Sequence, residues 1–258
     1  MGDDLWDARK YNRVSSVLLE WGKNVLQRRT WQGDEVVLDA GCGSGGPTRI
    51  LTSKVPNGRI YAVDKDPNMV EQARANLADC KNVQVIQGDL KDVRLPEEVD
   101  VVFSNAVLHW IPDHESVFTN FFSLLKNGGE LLIQCGGHGN LSGTIAILDK
   151  IISDNNLYMV HFEGWKKPWN FAGPQDTERL LHKAGFTKAS AHLSEEPVSF
   201  ANRESFSEYV GTVVIWPFLS RLPSSLQGKF LEAYLDDCER SPDKWKLNYV
   251  RLNIAAEK

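Results

Sequence analysis

The sequence predicts an α/β fold with a parallel, doubly wound sheet. Short β-branched runs alternate with segments of helical periodicity. A glycine-rich turn joins the first such run to a helix that opens with Pro47. Acidic residues stand at the ends of three successive strands, where doubly wound sheets bind ligands.

Taken in order, residues 9–29 predict an amphipathic helix, because Val14, Val17, Leu18, Trp21 and Val25 recur at helical spacing. Residues 35–39 form a first strand that runs into glycines, and 59–63 form a second. Asp66 and Pro67 supply an N-cap and a first-turn proline for a helix through Leu77. Strands follow at 83–86 and 100–103, then a Phe-rich helix over 117–125 that the glycines of Asn127-Gly128-Gly129 should terminate. A fifth strand covers 130–134. Further on, 144–157 reads as a helix, 165–171 as an aromatic loop or lid, and 174–184 as a helix ended by Gly185. Closing strands are expected at 186–192 and 248–255, with a mostly helical stretch over 204–238 broken at Trp216-Pro217 and Pro223. The organisation expected is one domain over 1–258. It has an N-terminal helical segment (1–34), a cofactor-binding core (35–135), and lid or cap insertions at 136–173 and 203–238.

Composition narrows the function. Of 258 residues, 42% are hydrophobic, enough for a sizeable core and far from a disordered composition. A net charge of -5, without any Lys/Arg run, argues against a nucleic-acid partner. Cys42, Cys80, Cys135 and Cys238 are dispersed, so neither a disulfide framework nor a zinc site is indicated, and no metal is expected. No apolar stretch suits a signal peptide or a membrane span, which predicts a reduced, cytoplasmic protein without a membrane partner. Nothing in the sequence indicates an oligomeric state.

The chemistry concentrates at Asp39-Ala40-Gly41-Cys42-Gly43-Ser44-Gly45-Gly46. Glycine lets the chain turn sharply and lets a ligand approach main-chain N–H groups, and the helix N-terminus behind favours negative charge. The register G-x-G-x-x-G, Gly41 through Gly46, would equally fit a nicotinamide or flavin dinucleotide. The neighbouring acids separate the cofactors. Asp39 is poorly placed against a pyrophosphate but suits an ammonium group, as on S-adenosylmethionine. Asp64, ending the second strand, can accept both ribose hydroxyls. Asp89, ending the third, can accept an adenine amino group while the Leu90 N–H reaches a ring nitrogen.

With residues 36–45, Asp64, Asp89 and the run Phe103-Ser104-Asn105-Ala106-Val107-Leu108-His109-Trp110, the chain resembles class I S-adenosylmethionine-dependent methyltransferases over most of 35–135. The resemblance implies a Rossmann-like seven-stranded sheet with an inserted antiparallel last strand, here at 248–255. The run from Ser104 to Asp113 is most similar to trans-aconitate methyltransferases, and the malonyl-carrier-protein methyltransferases carry a similar run; both methylate a free carboxylate.

The expected cofactor contacts are Asp39, Gly41, Cys42, Gly43 and Asp64, joined by Lys65, Met69, Asp89, Leu90 and Asn105. Tyr11, Trp110, Trp169 and Trp216 are the candidates for a small-molecule acceptor, with Trp6 and Trp165 as further entrance or lid residues. His109 is either a general base or a pocket wall; a base is needed for a hydroxyl acceptor and not for a carboxylate. Arg203, Arg221 and Arg251 are the arginines to inspect for carboxylate binding. The function expected is methyl transfer to a small molecule, with O-methylation of an organic acid in front. N-, C- or hydroxyl O-methylation, a nicotinamide-dependent oxidoreductase and a non-catalytic cofactor-binding module stay open.

Overall fold

The computed structural model describes residues 16–258, and they separate into two compact units. The larger unit contains residues 16–138, 169–194 and 251–258. Its elements are α1 (Ser16–Leu26), β1 (Val36–Ala40), α2 (Gly46–Lys54), β2 (Arg59–Asp64), α3 (Pro67–Asn76), β3 (Val83–Gln87), β4 (Val99–Asn105), α4 (His114–Leu124), β5 (Leu125–Gly136), α5 (Pro174–Ala184), β6 (Lys188–Glu195) and β7 (Val250–Glu257).

The seven strands form one sheet in the order β3-β2-β1-β4-β5-β7-β6. Strands β1 to β5 pair in parallel, and β7 enters antiparallel to β5, with Gly136 opposite Arg251 and Leu132 opposite Ala255. The expected Rossmann-like sheet with an antiparallel last strand is therefore present. Strand order reverses between β1 and β4, so the crevice at a switch point lies beyond the carboxyl ends of those two strands.

Continuous apolar runs in β1, β4 and β5 follow from burial on both faces. On one face Val37, Val101, Phe103 and Leu132 pack with Val25 and Leu26 of α1 and Leu51 of α2. On the other, Leu38, Val102 and Ile133 pack with Phe118 and Phe121 of α4 and Leu181 of α5. Local signals set the helix ends. Asp66 caps α3 by accepting from the Asn68 and Met69 N–H groups, and Gly185, at φ +113°, ends α5.

Three local expectations are corrected. The glycines at 128 and 129 do not terminate α4. The helix ends at Leu124, Leu125 is already extended and paired with Val99, and the register jumps to Val101 opposite Glu130. Burial of Leu125 draws the chain straight into β5, and Gly128, at φ +77°, turns within the resulting bulge. The helix expected over 144–157 is two, Ser142–Ser153 and Asn156–Phe162, separated where Asn155 caps the second by accepting from the Leu157 N–H. The closing strands each begin two residues later than expected.

The smaller unit contains residues 139–168 and 195–250. Besides those two helices it holds Arg203–Tyr209, a π-helical turn at Val210–Val214, Trp216–Leu219, and the long helix Ser224–Arg240. Pro217 sits in the first turn of its helix, where its missing N–H costs nothing. The core is aromatic, with Phe230 edge-on to Tyr158 at 5.1 Å and Phe206 stacked on Tyr234 at 6.2 Å. A two-stranded ladder, Val198–Ser199 against Lys246–Leu247, closes it. No described helix is long and apolar enough to cross a membrane.

Phe121 is fully buried between α4 and the sheet. Phe121→Ala should lower unfolding stability by about 3–5 kcal/mol, read as a lower urea midpoint at unchanged slope.

Candidate active site

The site is built where β1 and β4 end. Gly41 has φ +82°, and a Cβ there would stand 2.3 Å from Val107 Cγ2, so no side chain fits. The Gly41 and Cys42 N–H groups both donate to the Val63 carbonyl, at 2.8 and 2.9 Å, pinning the turn to the end of β2. Gly43 is different: nothing lies within 4 Å of where its Cβ would be, so this side of the turn is open to a ligand.

Three acids surround the turn. Asp39, only 1% exposed, accepts a hydrogen bond from the Thr48 hydroxyl at 2.6 Å. Burial pushes its carboxyl up to about 7 against the Thr48 bond, and the Asp64 charge adds to the rise. Burial also raises Asp64, although its two oxygens accept from the Gly43 N–H at 2.8 Å and the Asp66 N–H at 2.9 Å. A carboxylate offers about four lone-pair positions, so Asp64 retains acceptor capacity. Two neighbouring acids with raised pKa favour a cation close by. Asp89 behaves in the opposite way. Burial pushes it up, but Lys65, bound at 2.9 Å, and the Lys91 N–H outweigh that and lower it. The buried Leu90 beside it is anchored through its carbonyl, which accepts from Asn120 Nδ2. Met69 is buried in the first turn of α3.

The end of β4 forms the other wall. Ser104 Oγ donates to the Ala40 carbonyl at 2.6 Å, tying the two strand ends together. Asn105 Nδ2 donates to the Leu18 carbonyl of α1, while its buried Oδ1 accepts from no described residue. A buried carbonyl in that state calls for a donor. The chain then turns at Ala106, φ +62°, into a short 3₁₀ turn, Leu108–Trp110. His109 Nδ1 accepts from the Gly136 N–H at 3.1 Å. Burial, then the Arg251 charge, then His114 hold the His109 pKa well below the ordinary range, so its ring is neutral. Around it stands an aromatic wall. Trp110 and Phe171 lie 5.3 and 5.9 Å from the His109 ring, and Trp169 stacks on Phe171 at 5.6 Å.

The fold thus brings together Asp39, Gly41, Cys42, Gly43, Asp64 and Asn105, with Lys65, Met69, Asp89 and Leu90 along the ends of β2 and β3. Trp110 and Trp169 meet 6.0 Å apart. Tyr11 and Trp6 lie outside the described residues. Trp216 and Trp165 belong to the smaller unit, where Trp165 packs edge-on against Phe218. Arg203 is committed to Glu232, Asp236 and Glu239 on one helix, and Arg221 lies by the His161 carbonyl. Arg251 is different, being 1% exposed, stacked 4.3 Å over Trp21 and donating to Gln134 Oε1 at 3.4 Å. Thr48, Gly136 and Phe171 escaped the sequence reading. Thr48 carried a signal, as a hydroxyl one residue after the first-turn proline, and Phe171 ended the aromatic stretch expected as a loop or lid without being singled out.

A methyltransferase domain profile matches residues 38–133. An uncharacterised methyltransferase of Schizosaccharomyces pombe is 30% identical over 268 residues, covering all of both chains. The chain belongs to the class I S-adenosylmethionine-dependent methyltransferases. A trans-aconitate 2-methyltransferase of Escherichia coli O7:K1 is 33% identical over 229 residues, 89% of this chain and 86% of that one. Among solved structures, YcgJ of Bacillus subtilis superposes with a TM-score of 0.64 at 14% identity, over 93% of this chain and 98% of its own. A Haemonchus contortus phosphoethanolamine N-methyltransferase in complex with S-adenosylhomocysteine gives 0.62 at 20% identity, over 97% of this chain and 56% of its own. At these identities the structural likeness is one of fold. The methyltransferase assignment replaces the oxidoreductase alternative that the glycine pattern alone had left open.

Asp39 yields a pH test. In the folded chain it keeps its proton up to about pH 7, against an ordinary value of 3.8. The folded state therefore binds more protons between those values, and the stability this contributes is lost as pH rises through that window. The wild-type urea midpoint should fall more steeply between pH 5 and 7.5 than that of Asp39→Asn. Parallel profiles would remove Asp39 as the source.

Proposed function

We propose that the protein transfers a methyl group from S-adenosylmethionine to a carboxylate oxygen of a small organic acid. The observation that carries this reading is the state of His109. Its Nδ1 lone pair is occupied by the Gly136 N–H, and its pKa is depressed, so it is a poor proton acceptor. A hydroxyl acceptor needs such a base. A carboxylate, with an ordinary pKa of about 4, is already ionised at neutral pH and attacks without losing a proton. The similarity to trans-aconitate 2-methyltransferases over 89% of the chain supports the same acceptor class. The net charge of -5 fits a small-molecule partner better than a nucleic acid.

In this reading the glycine turn and Asp39 hold the amino-acid end of the cofactor, and the unpartnered Asn105 Oδ1 accepts from its ammonium. Asp64 takes the ribose hydroxyls with its spare lone pairs, while Asp89 and the Leu90 N–H meet the adenine edge beside Lys65 and Met69. Bound S-adenosylmethionine supplies a methyl carbon already activated by its sulfonium. The protein's share is alignment and exclusion of water, which the aromatic wall of Trp110, Trp169 and Phe171 serves.

Asp64→Ala should weaken S-adenosylmethionine binding by about 1.5–3 kcal/mol without unfolding the protein, measured by calorimetry. Unchanged affinity in a folded variant would take Asp64 out of the site. For the acceptor, acids, phenols and amines are screened with labelled cofactor. Acids should be preferred, and His109→Ala should leave kcat on the best acid within about tenfold, against the roughly 10²–10⁴-fold loss expected of a general base. A clear preference for a phenol or an amine would overturn the acid reading.

A further inference from the structure

His109 supplies more than a reason to exclude a base. A main-chain N–H can only donate, so the 3.1 Å contact from Gly136 requires a lone pair on Nδ1. In the neutral ring the hydrogen then stands on Nε2, on the edge of the imidazole turned away from Gly136. Among the described residues the His109 ring makes no other hydrogen bond, and the residue keeps 8% of its surface. Its ring neighbours, Trp110 and Phe171, offer faces and edges but no acceptor atom as strong as an oxygen. An N–H held in an aromatic wall beside the ends of β4 and β5, and given no partner by any described residue, is a donor for an acceptor that enters there.

We infer that the Nε2–H of His109 is a fixed hydrogen-bond donor to the acceptor's carboxylate, on the oxygen that is not methylated, and that it thereby selects acids over amines. This rests on the carboxylate reading above. In the transfer, one carboxylate oxygen forms a bond to the methyl carbon as the carbon–sulfur bond breaks. Sulfur keeps the electron pair, the sulfonium becomes a neutral thioether, and the carboxylate becomes a neutral ester. No proton moves, so His109 begins and ends as the same neutral tautomer. A neutral donor also suits the energetics. The carboxylate loses charge on the way to the transition state, and an imidazolium would hold the ground state the harder of the two.

The test separates shape from donation. Glutamine places an amide N–H2 near the position of Nε2, whereas phenylalanine keeps the ring without a donor. Steady-state constants are measured for wild type, His109→Gln and His109→Phe with trans-aconitate at saturating S-adenosylmethionine. His109→Gln should keep KM within about threefold, and His109→Phe should raise KM by about tenfold or more with a smaller change in kcat. Equal KM values in the two variants overturn the donor role. Nitrogen NMR of the wild-type protein with labelled histidine reads the tautomer without any mutation. A protonated Nε2 supports the inference, and a protonated Nδ1 overturns it. An acid that is methylated equally well by the phenylalanine variant sinks this inference alone. Refusal of trans-aconitate and every other acid sinks the carboxylate reading with it.

Discussion

No side chain can stand at position 41. The turn after β1 and the turn after β4 approach so closely that the Val107 side chain fills the place of a Cβ. This approach, at the point where strand order reverses, is the constraint from which the rest of the site follows. It forces a left-handed glycine, which swings the next residues over the end of β2, where Val63 and Asp64 secure them. It also fixes the run after Asn105 against the same turn, so that the wall carrying His109 and Trp110 begins within a few residues of the glycine loop. One steric contact thereby sets the distance between the glycine turn and the aromatic wall.

Electrostatics divide the crevice. Toward β1 and β2 stand Asp39 and Asp64, both with raised pKa and suited to a cation. Toward β5 and β7 stand a neutral imidazole and a buried guanidinium, Arg251, whose charge helps keep that imidazole neutral. A cationic group placed at the first side and an anionic group at the second would each meet the opposite charge. The separation is achieved by strand position alone, since β1 and β7 lie on opposite sides of β4 and β5.

Much of this was legible because it is local. Asp66 and Pro67 mark the start of α3 by hydrogen bonding and ring geometry that need no tertiary partner, and Gly185 ends α5 for an equally local reason. Asp39, Asp64 and the glycines could be placed on one edge because strands alternate with helices. What was not legible depends on partners distant in sequence. Gly136 meets His109, Phe171 completes the wall, and Trp21 lies under Arg251. Nothing in the residues flanking any of them announces the contact. The glycines at 128 and 129 misled for the same reason: burial of Leu125, a tertiary effect, ended α4 before they could.

The last two strands of the sheet are separated by the 195–250 segment, yet they must lie side by side. Closing so long a loop by chance costs entropy that grows with its length and slows assembly. The ends of that segment are already fastened to each other. The Glu196 N–H donates to the Tyr249 carbonyl at 2.9 Å, and Val198 pairs with Leu247 just inside. Once this clasp forms, β6 and β7 emerge from it as adjacent strands, and a long-range closure becomes, for the sheet, a short one. In kinetic terms the clasp lowers the effective contact order of the β6–β7 pairing. Loosening it should slow refolding more than it lowers equilibrium stability.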